Sequence, residues 1–497
     1  LRLILLSGLV IRLVAVVFSK GFGWIDDQFL VVEIAQSWVD GVDYYKWLPA
    51  TEGNNGPLGF SFLYPGLHYL LFHMLEFIGI NDPQGKMYIV RLMHALWSML
   101  VIKYGYEITL YFSDRKTANL AGWLLALFWI FPFLSVRNMV EFVCLPLILK
   151  GTLMIVRSKG PRILYWLWIG LLFGLAFSIR YQTALITGGI GLVLLFEKRW
   201  LQSVYLTLGF SLAVILVQGV VDYIIWEEPF VQLIGYVTYN ATSAGLYTVG
   251  PWYHYLLFLL GAMIPPVSLF LFAGFFKSYK KLLIIFIPTL IFLLFHSFYP
   301  NKQERFITTI LPYLIISGVV GWKMIEDSIS DRQTLRKWIR GAWVFFWIVN
   351  TTGLLAVSTM YSKKARVETM VYLSRYNDLE FFIIEDSNKD VLRFPPQFYL
   401  KKWLPYDAYM YDSKIVHFGM VGQNSEGEQP PGFVLFFMPD GLEDRIEKMK
   451  GLYPDLEYET TIEPGVMDQL LHWLNPVNAN QNIYIYRNRS VIPEKRE

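Results

Sequence analysis

Cysteine and charge are what this sequence has least of. Its 497 residues include one cysteine, Cys144, which excludes an intramolecular disulfide framework and any multi-cysteine zinc or iron–sulfur site. Charged residues make up 17% of the chain, against about a quarter in a soluble domain. With 55% hydrophobic residues and a mean hydropathy of +0.40, it reads as a membrane protein. A Walker lysine loop, a dinucleotide glycine fingerprint, HExxH and a DxD pair are also absent, so nucleotide- or zinc-dependent chemistry loses its usual support. The net charge of +3 hides a division: residues 1–360 hold 27 Lys/Arg against 19 Asp/Glu, and residues 361–497 hold 16 against 21. A tail of negative balance is no nucleic-acid-binding arm. The chain begins at Leu1 inside an apolar run without an initiator Met, as a fragment would. Arg12 interrupts that run and no small-residue cleavage site follows, so it does not read as a signal peptide.

Long apolar runs are what the chain has instead. Twelve can be marked off, at 1–18, 60–80, 88–112, 118–136, 139–156, 163–179, 182–196, 201–226, 253–276, 281–298, 305–320 and 340–360, most of them near the roughly 20 residues of a spanning helix. Hydrocarbon offers no water to their backbone groups, which makes them helices. Basic connections at Asp114 to Lys116, Arg157 to Arg162, Lys198-Arg199, Lys277 to Lys281 and Lys323 to Arg340 alternate with less basic ones. Lys and Arg mark the cytoplasmic side, so the tail after Tyr361 is expected outside the cytoplasm. The alternation also requires 60–80 or a neighbour to dip or lie flat, leaving about eleven transmembrane helices.

The tail changes texture. Phe381 to Ile384, Val434 to Phe437 and Ile483 to Tyr486 are short apolar segments between turn formers and predict strands, while Leu442 to Leu452 has helical spacing. The expected architecture is an all-α polytopic membrane protein, 1–360, with a small C-terminal soluble α/β domain, 361–497.

Polar residues gather in five clusters on the non-cytoplasmic side. Asp26-Asp27, followed by Glu33, offers a general base or a solvated helix N-cap. Asn138 and Glu141 stand at the head of a later span, where a helix dipole alone would suit the glutamate. Arg180 and, in the first span, Arg12 are ionisable groups at depth, functional candidates that snorkelling would also explain; snorkelling is the favoured account of Arg12. Asp222, Tyr236, Tyr239, Asn240 and Trp252 belong to an aromatic loop richer than a membrane belt requires. Lys302 and Arg305 oppose the positive-inside rule, which suggests a bound anion such as phosphate, with pairing to Glu304 as the plainer alternative.

In order and spacing these clusters resemble glycosyltransferase family 22, the Alg9-type and GPI mannosyltransferases of the GT-C superfamily. The family's Arg in the first span corresponds to Arg12, and its His-Pro-Asp-Glu-x-Phe-Gln stretch to Trp24-Ile25-Asp26-Asp27-Gln28-Phe29. Its Asn-x-x-Glu corresponds to Asn138 and Glu141, its Gly-x-x-x-Gly and Arg to Gly170, Gly174 and Arg180, its Asp to Pro-Trp loop to Asp222 to Trp252, and its His-Lys-Glu-x-Arg-Phe stretch to Asn301 to Phe306. Trp24-Ile25, Asp27, Asn301 and Gln303 depart from the family pattern, as in a divergent member. The resemblance implies an inverting, metal-independent mannosyltransferase of the bacterial plasma membrane or the endoplasmic reticulum. It would move mannose from a polyprenyl (dolichyl) phosphate donor to a glycan or glycolipid acceptor on the non-cytoplasmic face, with no cofactor. Asp26 or Asp27 would serve as base, Lys302, Arg305 and Arg180 would hold the donor phosphate, and Asn138, Glu141, Asp222, Tyr239, Asn240 and Trp252 would bind substrate. A lipid-linked-sugar flippase, a polymerase or a sugar transporter is the alternative. A transporter should carry its polar groups near the bilayer midplane, whereas these lie mostly at one face.

Overall fold

The computed structural model describes all residues except 55, 247, 329–332, 387–392, 411–414, 420–428, 477, 479 and 494–497. The chain forms two compact units. The first comprises Leu1–Val16, Pro57–Tyr64 and Val90–Ser358, and the second Val17–Gly56, Pro65–Ile89 and Thr359–Glu497.

The first unit is helical. Three helices among the described residues are long and apolar enough to cross a membrane: Trp200–Trp226, Glu304–Ser328 and Gln333–Ser358. A fourth span arises if His254–Ala262 and Val267–Lys277, bent by 119°, count as one. Ile163–Ile179, Tyr181–Phe196 and Leu283–Phe298 are shorter apolar helices. The count of about eleven is not reached on length and composition, because several apolar runs are interrupted. The run 118–136 yields a helix that ends at Leu127, and 139–156 divides at Cys144 into Val140–Val143 and Leu145–Arg157. Helix Glu304–Ser328 has every residue from 311 to 322 buried, as expected of a helix apolar on all sides.

Glycines let helix backbones meet within this unit. A Cβ on Gly321 would stand 1.8 Å from the Gly274 carbonyl oxygen, and one on Gly274 2.0 Å from that of Gly318. Gly170 and Gly174, matched above to a family motif, likewise abut the carbonyls of Leu206 and Phe210, at 2.1 and 2.6 Å from their would-be Cβ atoms. Small residues spaced by one turn allow this approach where hydrocarbon supplies no hydrophobic drive. Arg12 corrects the snorkelling expectation. It is fully buried, donating Nε to Ser98 Oγ at 2.8 Å and Nη1 to the carbonyls of Gly8 (3.1 Å) and Ala126 (3.0 Å). A guanidinium with these acceptors ties helices together and has no need to reach water.

The second unit contains a six-stranded mixed sheet. Its strands are β1 (Phe382–Asp386), β2 (Tyr406–Met410), β3 (Ile415–Phe418), β4 (Phe433–Phe437), β5 (Leu456–Ile462) and β6 (Ile483–Asn488), in spatial order β3-β2-β1-β4-β6-β5. The central β1 runs parallel to β2 and β4, and the outer pairs are antiparallel. All residues of β1 and β4 are buried, which is why Phe382 to Ile384 and Phe433 to Phe437 read as continuous apolar runs rather than alternating ones. This compact unit also takes in 17–56 and 65–89. Within it Tyr44 donates to the Leu404 carbonyl at 2.8 Å, Gln397 Nε2 to Tyr44 Oη at 2.7 Å, and Phe72 stacks on Phe398 with centroids 5.7 Å apart. These long-range contacts carry no local sequence signature.

Candidate active site

In the first unit, three ionisable side chains converge in the interior. Helix Ile163–Ile179 stops at Arg180, whose backbone is extended (φ −143°), and the chain re-enters helix through the 3₁₀ turn Tyr181–Thr183. The interruption turns the arginine inward. Glu141, in the first turn of Val140–Val143, is fully buried, and its Oε1 lies 3.2 Å from Arg180 Nη2 and 3.8 Å from Arg305 Nε. Arg305 belongs to the 3₁₀ segment Glu304–Ile310, and its Nε donates to Gln303 Oε1 at 2.9 Å. The ring of Phe306 faces both guanidinium groups, at 5.0 and 5.4 Å.

Two cations thus share one carboxylate. Neither the Arg180–Glu141 contact nor Arg180 Nε is aligned with a hydrogen-bond acceptor among the described residues. A buried charge without full compensation is costly, so the unused Nε donor of Arg180 is a ready place for an anion.

Lys302 has a different engagement. Its ammonium donates to the carbonyls of His296 (2.7 Å), Ser297 (2.8 Å) and Tyr299, closing the C-terminal end of helix Leu283–Phe298. A phosphate would compete with those carbonyls for its three hydrogens. Glu304 stands 3.8 Å from His254. Asn138 is 5% exposed, with a buried Oδ1 that meets no hydrogen-bond donor among the described residues. Asp222 accepts the Gln232 amide at 3.0 Å through Oδ2, fixing the start of helix Val231–Ser243. Asn240 accepts from Tyr299 Oη through its carbonyl at 2.8 Å, and Tyr239 and Trp252 are exposed. Of the proposed substrate residues, Glu141 and Asn138 are the buried pair not committed to building a helix end.

The second unit holds the paired aspartates. Asp27 is 4% exposed and its Oδ2 accepts the Trp24 amide at 3.3 Å, a reach back across the short helix Ile25–Asp27. Asp26 is partly exposed. The helix continues into a π-helical segment, Gln28–Glu33, a wide turn often found at functional sites. It places Glu33 in the interior, where Tyr45 Oη donates to Oε2 and Gln28 Nε2 to Oε1 at 3.2 Å. Burial pushes the Glu33 carboxyl up to about 8, against the pull of those donors and of the Arg366 charge. The sequence points to neither Tyr45 nor Arg366 here: Tyr45 lies 12 residues on, past the helix that follows Glu33, and Arg366 lies in the distant C-terminal part of the chain.

The Glu33 shift has a sign that can be tested. The folded state holds this proton more tightly than the unfolded chain, whose glutamate titrates near 4.3. The stabilisation is complete below about pH 4, declines as pH rises toward about 8, and levels off above. Glu33→Gln, which keeps the neutral shape, should flatten that decline. Thermal midpoints of the purified protein between pH 5 and 9 are the measurement, and parallel profiles would show that Glu33 is already ionised at neutrality.

Comparison with known proteins bears on both units. The model of the Alg9-like mannosyltransferase family matches residues 3–401. Mannosyltransferase APTG1 of Arabidopsis thaliana is 24% identical over 413 residues, covering 75% of this chain and 70% of that protein. Among solved structures, ArnT from Cupriavidus metallidurans bound to undecaprenyl phosphate is similar with a TM-score of 0.62 at 12% identity, over 98% of this chain and 97% of that one. Its apo form gives a TM-score of 0.61 at 11% identity, over 99% and 98%. At such identities the likeness concerns the fold, which is that of the GT-C glycosyltransferases.

Proposed function

The chain belongs to the Alg9-like mannosyltransferase family and is a membrane mannosyltransferase, and on that premise we propose that its donor is a polyprenyl phosphate mannose and its acceptor a glycan or glycolipid on the non-cytoplasmic face. The observation that carries the donor class is the convergence of Arg180 and Arg305 on the single buried carboxylate of Glu141. Two guanidinium groups drawn together in the interior suit a leaving group that is itself a phosphate. ArnT, whose fold this chain resembles, was solved with undecaprenyl phosphate, a ligand of the proposed class.

In this reading the acceptor hydroxyl attacks the anomeric carbon as the bond from that carbon to the phosphate oxygen breaks. The hydroxyl proton passes to a carboxylate, for which the Asp26–Asp27 pair is proposed, and the electron pair stays on the departing polyprenyl phosphate. The arginines stabilise that developing charge, the form of electrostatic assistance that costs no reorganisation if the groups are already in place. Attack opposite the leaving group inverts the configuration. Lys302 is assigned the upkeep of the loop that carries Arg305, and Asn138 a hydrogen bond to substrate.

The test is sugar transfer by the purified full chain from a panel of polyprenyl phosphates carrying mannose, glucose, N-acetylglucosamine or arabinose, with GDP-mannose in parallel. Mannose transfer from the lipid phosphate is expected. Transfer from GDP-mannose alone would overturn the donor class, and transfer of a different sugar alone would overturn the donor sugar.

A further inference from the structure

An open-sided groove in the first unit plays no part in that reaction. Its walls come from helices Val267–Lys277, Glu304–Ser328 and Gln333–Ser358, with Phe270, Trp322, Trp338 and Phe345 among the lining residues, and its volume is about 760 Å³. That lies within the roughly 300–1,000 Å³ of a small-molecule site. The Trp322 indole stacks on the Phe270 ring, with centroids 4.3 Å apart, and makes one side. Trp338, 75% exposed, and Phe345 stand on the other. Gly341 lines the groove between them, and a Cβ added there would meet nothing within 4 Å. Glycine thus leaves the space between the two rings open.

The groove is polar at one end only. Thr334 and Lys337 line it in the first turns of Gln333–Ser358, and the lining residues that follow on this helix are apolar. They run from 334 to 345, about 16 Å at 1.5 Å per residue. The hydrocarbon core of a bilayer is roughly 30 Å thick, so the groove is as long as one leaflet is deep. Its shape is that of an acyl chain hanging from a headgroup.

The charge at the polar end has one sign in excess. Asp327 accepts from Lys323, whereas Arg336, Lys337 and Arg340, all exposed, form no ion pair among the described residues. Residues 323–340 hold five Lys/Arg against three Asp/Glu, and the connection that follows Lys277 adds Lys280 and Lys281. Connections of this kind face the cytoplasmic leaflet, whose anionic lipids attract them.

We propose that the groove binds an anionic glycerophospholipid of the leaflet at this end, with one acyl chain along Trp338, Gly341 and Phe345 and the phosphate beside Lys337. Basic pockets between transmembrane helices take anionic headgroups, and an exposed indole at that level is an interfacial anchor. The site stands independently of the donor reading. Arg305 and Trp322 belong to opposite ends of Glu304–Ser328, about 25 Å apart at the helical rise, so the phospholipid phosphate lies far from the Glu141 cluster.

The experiment is photolabelling of the full-length protein in neutral detergent by phosphatidylglycerol and phosphatidylcholine that carry the same photoreactive acyl chain, with labelled peptides mapped by mass spectrometry. Labelling of peptides covering 334–345 should saturate and favour phosphatidylglycerol by about fivefold or more, the effect of one cation beside an anionic headgroup. Gly341→Phe fills the groove and replaces a poor helix residue, so it should abolish this labelling without lowering the thermal midpoint. Lys337→Gln should narrow the preference toward parity while phosphatidylcholine labelling stays as it was, and it decides the matter if Gly341→Phe does not fold. Equal labelling by the two lipids in the wild type would overturn the site, as would labelling that Gly341→Phe or Lys337→Gln leaves unchanged. Unlabelled phosphatidic acid should displace the label. Displacement by polyprenyl phosphate and not by phosphatidic acid would overturn the phospholipid as occupant and give the groove to an isoprenoid chain. The donor reading fails separately, in the transfer assay, and that failure would leave the labelling pattern as it is.

Discussion

Asp26→Asn should lower the turnover of mannose transfer by about 10²-fold or more, the usual loss when a general base is removed, with donor affinity nearly unchanged. Successive helical side chains point about 100° apart, so two adjacent aspartates do not share one task. The structure distinguishes them. Asp27 is buried and its Oδ2 accepts the Trp24 amide, a bond the amide oxygen of an asparagine can also accept. Asp26 is partly exposed and falls on the Asp of the family stretch. Asp27→Asn should therefore act mainly on stability, within the roughly 0.5–2 kcal/mol of a helix cap. The assay is labelled mannose transfer from a short-chain polyprenyl phosphate, with donor binding measured separately so that a fall in turnover is not confused with a fall in affinity. Full activity in Asp26→Asn would move the base to Asp27. Full activity in both single variants and in the double variant would remove this pair from the chemistry.

What the sequence discloses depends on whether the signal is local. Helix Leu442–Leu452 is found with the bounds its spacing predicts, and the interior strands β1, β4 and β6 lie where apolar runs between turn formers put them. The edge strand β5, Leu456–Ile462, is largely exposed or half-exposed and reads Leu-Glu-Tyr-Glu-Thr-Thr-Ile. Charged and polar residues protect an edge from further pairing, and the same residues hide it from a search for apolar strands. Apolar runs predict the break at Arg180, between 163–179 and 182–196, but not those after Leu127 and at Cys144, which fall inside continuous apolar runs and carry no local signal. Each of Glu141, Arg180 and Arg305 stands out as an ionisable group among apolar residues. That the first pairs with the other two follows only from the packing of three separate segments. In sequence Arg180 has no acidic neighbour at all.

The same pairing separates a phosphate site from a purely structural ion cluster. Were the arginines present only to neutralise Glu141, removing any member would destabilise the protein and would leave donor affinity to follow stability. If they also hold the donor phosphate, Arg305→Gln and Glu141→Gln should diverge. Arg305→Gln removes a charge-assisted contact, about 1.5–3 kcal/mol for a bond to a charged group, so polyprenyl phosphate should bind on the order of tenfold or more weakly, with slower transfer as well. Glu141→Gln instead leaves two buried cations without their carboxylate, and breaking a buried pair costs about 3–5 kcal/mol. A bound phosphate supplies the missing negative charge. Donor affinity should therefore be kept or raised in Glu141→Gln, and polyprenyl phosphate should lift its thermal midpoint by more than it lifts that of the wild type, since a ligand bound only by the folded state stabilises it in proportion to its affinity. Thermal melts with and without the lipid phosphate, for the wild type and both variants, make the comparison. Equal lifts in all three would show that the phosphate does not lie against Arg305 and Glu141, and the donor contact would have to be sought among other cations of the chain.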